Sequence, residues 1–517
     1  MLWTCLLLPS LPLEVFARAQ APADAAQPFA VTTGGRTPRV VAANAAAAAA
    51  GVHAGQPVSA TLALAPGIAL RERDPNAQAA ALAAVAAWAM QFTPTVSLAP
   101  PDAVLAEIAG SLRLFGGRSR LAAHVIRGTR DLGYTAAMAF APTPTAALLF
   151  ARAGAIGVGR DEPPSPRQAP RAAAAPGADP GFAAALAPLP LAHLDLDLDA
   201  AALAMLEAAG ITTFGQALAL PRDALARRVG AKFVAALDRA QGLAADPRPP
   251  FVPPPRYEGR LELPAAVDSV EALAFAVNRL VFELAGWLLG RGLGVGAMSL
   301  TLAHERQVAI RAGTPETRVR FALAAPAREP AHLIAVLRER LARVALPAPV
   351  VAIALASEET APLAGRNLGL LPGDAAAAAV PLLDRLRARL GEAAVIRVLP
   401  HAEHRPERAW TGGGGQDFSP ALARAAGAAG SAPSDPALPP RPLWLLAEPE
   451  PLGPVVEARP WVLKDGPERI ESGWWDGADV RRDYFVAENP RGETLWIYRD
   501  HRRGIDDGEW FLHGVFA

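Results

Sequence analysis

The chain has 517 residues, with 50 basic and 50 acidic side chains and a formal net charge of zero. That length predicts several domains at roughly 100–200 residues each, and the zero charge removes any global electrostatic drive toward nucleic acid, though a local basic face is still allowed. The single cysteine, Cys5, excludes a disulfide framework and a Cys-based zinc site. No apolar run reaches the roughly 18 residues of a spanning helix, so a membrane protein is not expected.

Met1–Leu13 is apolar and Ala17-Arg18-Ala19 imitates a signal-peptide cleavage site, but no basic residue precedes Glu14. The segment therefore reads as a buried first strand with a turn at Pro9 and Pro12, in a cytoplasmic protein. Strands are predicted at Phe29–Thr32, Arg39–Ala42, Val104–Ile108 and Thr135–Ala141, and helices at Ala77–Phe92, Ser119–Leu132 and from Pro144. Residues 1–160 thus read as an α/β or α+β domain. Residues 161–180 are a Pro/Ala-rich linker and 181–248 are helical, with a breaker at Gly210. Within 258–358 the pattern is strand, long helix Ser269–Gly290, strands at Ala297–His304, Gln307–Arg311 and Arg318–Ala324, helix His332–Val344 and strand Val350–Ala356. Residues 359–400 carry a loop, a helix at Ala375–Leu390 and a short strand, and 401–440 read as a flexible tether rich in Gly, Pro, Ala and Ser. Residues 441–517 hold a concentration of tryptophans and alternating strands at Arg481–Glu488 and Thr494–Arg499, which reads as a β-rich module.

Catalytic motifs are scarce. His193 with Asp195, Asp197 and Asp199 is the most metal-like string, yet it lacks the Gly and terminal Glu of an EF-hand, and an acidic approach to a helix N-terminus explains it better. His401 and His404 form no ligand pair, Gly412–Gly415 has no following GK[ST], and no GxSxG occurs. No metal or cofactor site is expected.

The order of parts resembles a Y-family (translesion) DNA polymerase: palm and fingers, helical thumb, α+β little finger. Ala42–Pro57 is similar to that family's fingers segment, Phe92–Gly116 and Gly133–Ala153 to its palm, and Gly210–Gly242 to its thumb. The implied fold is a multidomain α+β right hand, here with a β-rich C-terminal module. The resemblance also implies two metals held by palm carboxylates. At those positions this chain has Cys5, Leu7 and Ala103, and keeps only Asp102. Ala45 and Ala48 stand where the family's triphosphate-contacting tyrosine and arginine belong, and Pro144 where a palm lysine belongs. The expectation is no polymerase activity. The alternative is a weakly active polymerase whose metal site is rebuilt from Asp102, Glu107 and a further carboxylate.

A polymerase body with an erased site resembles the ImuB group. His404–Trp410, Arg441–Leu446, Gly466–Ala487 and Trp510–Gly514 resemble that group's signatures. The resemblance implies an adaptor in the SOS DNA damage response that joins the sliding clamp, an error-prone C-family DNA polymerase and a RecA-like accessory protein at damaged DNA. It implies a clamp peptide at Asn367, Leu368, Leu370 and Leu371, with Arg441–Leu446 as a second docking candidate. Arg311, Arg318 and Arg320 are the DNA-contact candidates; Arg318 and Arg320 share a strand face, and a salt-bridged solvated face is the competing reading. Trp444, Trp474, Trp475 and Trp510 are candidate partner anchors, because exposed Trp with Arg is typical of interfaces. A tryptophan core is the competing reading for that module.

Overall fold

The first apolar segment becomes an interior strand. In the computed structural model, which describes residues 1–20, 27–155, 180–194, 200–363, 375–391, 394–413, 441–452, 461–502 and 509–516, β1 (Trp3–Leu7) leads into α1 (Leu11–Ala17), and Pro12 lies in the first helical turn. The next elements are β2 (Phe29–Thr32), β3 (Val40–Ala43), α2 (Ala45–Ala49), α3 (Val58–Leu64), β4 (Ala69–Glu72), α4 (Pro75–Ala89), β5 (Val96–Ala99), β6 (Ala103–Glu107), α5 (Arg118–Asp131), β7 (Ala137–Ala141) and α6 (Pro144–Ala155). The order β5-β6-β1-β7 makes a four-stranded antiparallel palm sheet, and β3-β2-β4 a separate three-stranded fingers sheet. Strand alternation splits the palm in two. Leu6, Leu8, Val104 and Ala106 face α4 and α5. Cys5, Leu7, Ala103 and Leu105 face α6 and the helices that follow.

Those helices are α7 (Pro180–Leu186), α8 (Ala200–Ala208), α9 (Phe214–Leu218), α10 (Arg222–Val229) and α11 (Ala231–Gln241). A capping box between Thr213 and Gln216 starts α9. The little finger then runs β8 (Glu258–Val267), α12 (Val270–Gly290), β9 (Leu293–His304), α13 (Arg306–Ala312), β10 (Glu316–Ala327), α14 (Pro330–Leu341) and β11 (Val350–Pro362), with sheet order β10-β9-β11-β8. Gln307–Arg311, expected as a strand, is therefore helical. Gly313, at φ 68°, closes α13 in the left-handed conformation that a helix end favours.

Among the described residues, one helix, α12, is long and apolar enough to cross a membrane by length and composition, and it is mostly buried inside the fold. The reason is that α12 is used on two sides. Leu273, Val277, Leu280, Leu284 and Leu288 are buried in the little-finger core. A second stripe, Arg279, Glu283, Gly286 and Gly290, repeats at helical spacing and meets the palm. Arg279 donates to the Arg130 carbonyl at 2.5 Å and caps the end of α5. Glu283 pairs with Arg18, the residue that follows α1, and Arg18 also donates to Tyr134, all three buried. At Gly286 and Gly128 an added Cβ would collide with the Trp88 indole, so both glycines admit that ring; at Gly290 it would lie 3.0 Å from the Met90 Cβ. The segment after the thumb is pinned too: Phe251 N–H donates to the Val96 carbonyl at 2.7 Å.

The chain divides into two compact units, Met1–Pro372 and Gly373–Ala517. The second holds α15 (Ala375–Leu390), the hairpin β12 (Arg397–Pro400) with β13 (Trp410–Gly413), and β14 (Trp444–Pro451), β15 (Val462–Ser472), β16 (Val480–Glu488), β17 (Thr494–Asp500) and β18 (Glu509–Val515) in the sheet order β14-β18-β17-β16-β15. Residues 401–413, expected as part of a tether, are instead ordered by that hairpin and by Arg405. The rest of the expected tether, 414–440, and the expected linker up to residue 179 lie outside the described residues.

Candidate functional site

In the palm, register decides how Cys5, Leu7 and Ala103 pack. Leu7 pairs across the sheet with Ala103 on one side and Ala137 on the other, and Cys5 with Leu105 and Ala139. Cys5, Leu7 and Ala103 are buried in one apolar cluster with Ala146, Ala147, Leu189 and Phe214. A carboxylate at any of them would lose its hydration, which disfavours the charged form. Burial also pushes the Cys5 thiol up, which keeps it neutral. The end of this cluster is tied by Asp246, which accepts from the Thr145 N–H and Oγ1 at 2.8 Å and pairs with Arg248 at 3.1 Å.

Asp102 remains at the rim, where Arg152 Nη2 lies 3.7 Å from its Oδ1. Glu107 sits at the other end of β6, where its Oε1 accepts from the Leu2 N–H at 3.0 Å and the Ala109 N–H at 3.2 Å. Five residues of strand separate them by about 16 Å, far beyond a shared pair of metals about 4 Å apart. Among the described residues, no group of three or more His, Cys, Asp or Glu is placed to hold a metal ion. The rebuilt site of the weak-polymerase alternative is thus not assembled from Asp102 and Glu107. Ala45 and Ala48, about one turn apart on α2, are exposed and present only methyl groups.

On the little finger, Arg318 and Arg320 lie on one exposed face of β10, and Arg311 is exposed on α13 instead of on a strand. Arg318 Nη2 meets Glu358 Oε1 at 3.0 Å, and Arg320 Nε meets Glu358 Oε2 at 2.7 Å. The acids that pair with this face are Glu358 and Glu359 of β11. Asn367, Leu368, Leu370 and Leu371 lie outside the described residues, as do Asp195, Asp197 and Asp199.

In the second unit, two sequence signatures converge. Arg405 is buried and forms a two-pronged pair with Asp476, Nη1–Oδ1 3.0 Å and Nη2–Oδ2 2.6 Å, while Glu403 Oε2 accepts from Nη2 at 2.6 Å. Hydrogen bonds from Arg405 hold both the Glu403 and Asp476 carboxyls down at about 2. This clamp fixes the turn that presents Trp474 and Trp475, whose side chains are 77% and 58% exposed and meet edge to face at 5.3 Å. Trp444 is exposed on β14. Trp510 is different: it is buried with Ala487, Leu495 and Ile497. It belongs to the core and corrects the expectation of a surface anchor. The competing tryptophan-core reading thus describes Trp510 and Trp496, and the surface reading describes Trp444, Trp474 and Trp475. Sequence reasoning missed Arg18, Glu283, Arg405 and Asp246; the Arg279–Glu283–Gly286–Gly290 spacing was the available signal for Glu283.

The profile of the impB/mucB/samB family matches residues 15–152. Protein ImuB of Caulobacter vibrioides is 30% identical over 496 residues, which cover 90% of this chain and all of the relative. The chain belongs to the ImuB family. Membership gives it a Y-family polymerase-like body and a DNA damage tolerance context. Among solved structures, it is similar to DinB from Sulfolobus solfataricus, at 15% identity and TM-score 0.37, over 70% of this chain and all of that one. An insertion ternary complex of Dbh DNA polymerase matches at 16% identity and TM-score 0.38, over 69% and 98%.

Proposed function

We propose that this ImuB-family chain is a non-catalytic adaptor for error-prone translesion synthesis in the bacterial cytoplasm, associated with the nucleoid when engaged. It bridges the sliding clamp, an error-prone C-family polymerase and a RecA-like accessory protein at damaged DNA. The observation that carries the loss of chemistry is the buried Leu7–Ala103 pair: two positions for metal-binding carboxylates are packed as core. In this reading Asn367, Leu368, Leu370 and Leu371 form the clamp peptide, in which the leucines enter an apolar pocket and the asparagine orients them. The rigidly presented Trp474–Trp475 turn, with Trp444, receives a protein partner, since exposed aromatic anchors favour desolvated contacts. Arg311, Arg318 and Arg320 meet DNA phosphates through guanidinium forks.

A pull-down of the full chain with clamp and C-family polymerase tests the bridging. Leu370→Ala with Leu371→Ala should remove the clamp alone, and Trp474→Ala with Trp475→Ala the polymerase or the accessory protein alone. Clamp retention by the leucine variant would move the clamp contact to Arg441–Leu446. Full retention of both protein partners by the tryptophan variant would overturn the anchor assignment.

A further inference from the structure

The arginine face of the little finger carries its own anions. Regular alternation sends neighbouring strand residues to opposite faces, yet Glu358 and Glu359 both reach Arg320: Nε to Glu358 Oε2 at 2.7 Å, Nη2 to Glu359 Oε1 at 2.9 Å. The cause is a register shift of β11 against β9 between Ser357 and Glu359. A bulge of this kind re-aims a side chain. Glu358 also accepts from Arg318 at 3.0 Å, and Arg318 donates to the Ser299 hydroxyl at 3.2 Å. One carboxylate thus sits between two guanidinium groups. The Arg320 hydrogen bond holds its pKa below the usual carboxylate range, so it is ionised at neutral pH. The arginine side chains are 62% and 51% exposed, so a phosphate can reach both.

A carboxylate and a phosphate oxygen pair satisfy the same guanidinium fork. We infer that Glu358 and Glu359 are an internal stand-in for DNA phosphate, which occupies Arg318 and Arg320 in the free protein and keeps its own DNA affinity low. Exposed ion pairs of this type are individually weak, so a DNA backbone held nearby by the protein partners displaces them. Engagement then depends on recruitment rather than on unaided DNA binding. The inference rests on the reading of Arg318 and Arg320 as DNA contacts.

The test is fluorescence anisotropy of the full chain on primer–template DNA at about 50 mM salt, a condition in which phosphate contacts are strongly expressed. Glu358→Gln with Glu359→Gln should tighten binding roughly tenfold, the scale expected for releasing a few exposed pairs. Arg318→Ala with Arg320→Ala should weaken it. The quadruple variant should show no gain over the arginine variant, because the carboxylates act only through these arginines. Weakened binding in the arginine variant with no gain in the glutamine variant overturns the stand-in and leaves the DNA contact standing. A gain that persists without the arginines also overturns it, as a general charge effect. If the arginine variant binds as tightly as the wild type, the DNA reading itself fails.

Discussion

Glu283→Ala tests how the little finger is held on the palm. The Glu283 and Arg18 side chains are 6% and 4% exposed, and Tyr134, whose phenol burial pushes up to about 12, accepts a second bond from Arg18. Removing the carboxylate leaves a guanidinium in a dry site with a neutral phenol as its remaining named partner. Breaking a buried pair in this way costs about 3–5 kcal/mol, most of it the uncompensated charge. The alanine also leaves a void in the α12 seam. Native-state hydrogen exchange of the α12 amides reads the opening free energy directly. The expected result is a loss of about 3–5 kcal/mol for Glu283→Ala, with most of it recovered in the double variant Arg18→Met, Glu283→Leu, because apolar replacements of similar volume need no partner. A loss below about 0.5 kcal/mol, the scale of an ordinary surface substitution, would refute the reasoning.

Gly286→Leu should displace the Trp88 indole and destabilise the first unit by at least the roughly 1–3 kcal/mol typical of overpacking, read as a lower thermal midpoint; an unchanged midpoint would mean the seam is loose. The second unit should lose stability in acid through His513. Burial lowers its pKa from 6.5 to about 4, against the opposing pull of Glu407 and with Arg482 adding to the shift. Below about pH 6.5 the unfolded chain takes up a proton that the folded one does not, so stability falls as pH drops from about 6.5 to 4. His513→Phe should flatten the thermal midpoint over that window, and an unchanged pH slope would contradict the assignment.

The fold was legible where apolar periodicity and caps agreed. The helices expected at Ser269–Gly290 and from Pro144 are kept as α12 and α6. The Gln307–Arg311 segment misled because five residues fit either period, and Gly313 carried the deciding information as a helix-end signal. Legibility of the sites was mixed. The apolar character of Cys5, Leu7 and Ala103 was readable directly, and the structure buries all three in one cluster. The Arg405 clamp was not readable, since Arg405 and Asp476 are 71 residues apart and only the fold joins them. Trp510 and Trp475 look alike in sequence, but Trp510 is buried on β18 whereas Trp475 lies in the exposed turn between β15 and β16. The Glu358–Glu359 bulge was equally hidden, because alternation assigns the two residues to opposite faces.

Primer extension tests the central claim most directly. The purified full chain is supplied with primer–template DNA, all four deoxynucleoside triphosphates and either Mg²⁺ or Mn²⁺. The account predicts no extended product with either metal, since Leu7 and Ala103 are packed as core and no group of three or more His, Cys, Asp or Glu is placed to hold a metal ion among the described residues. Template-dependent extension by the chain alone would contradict it.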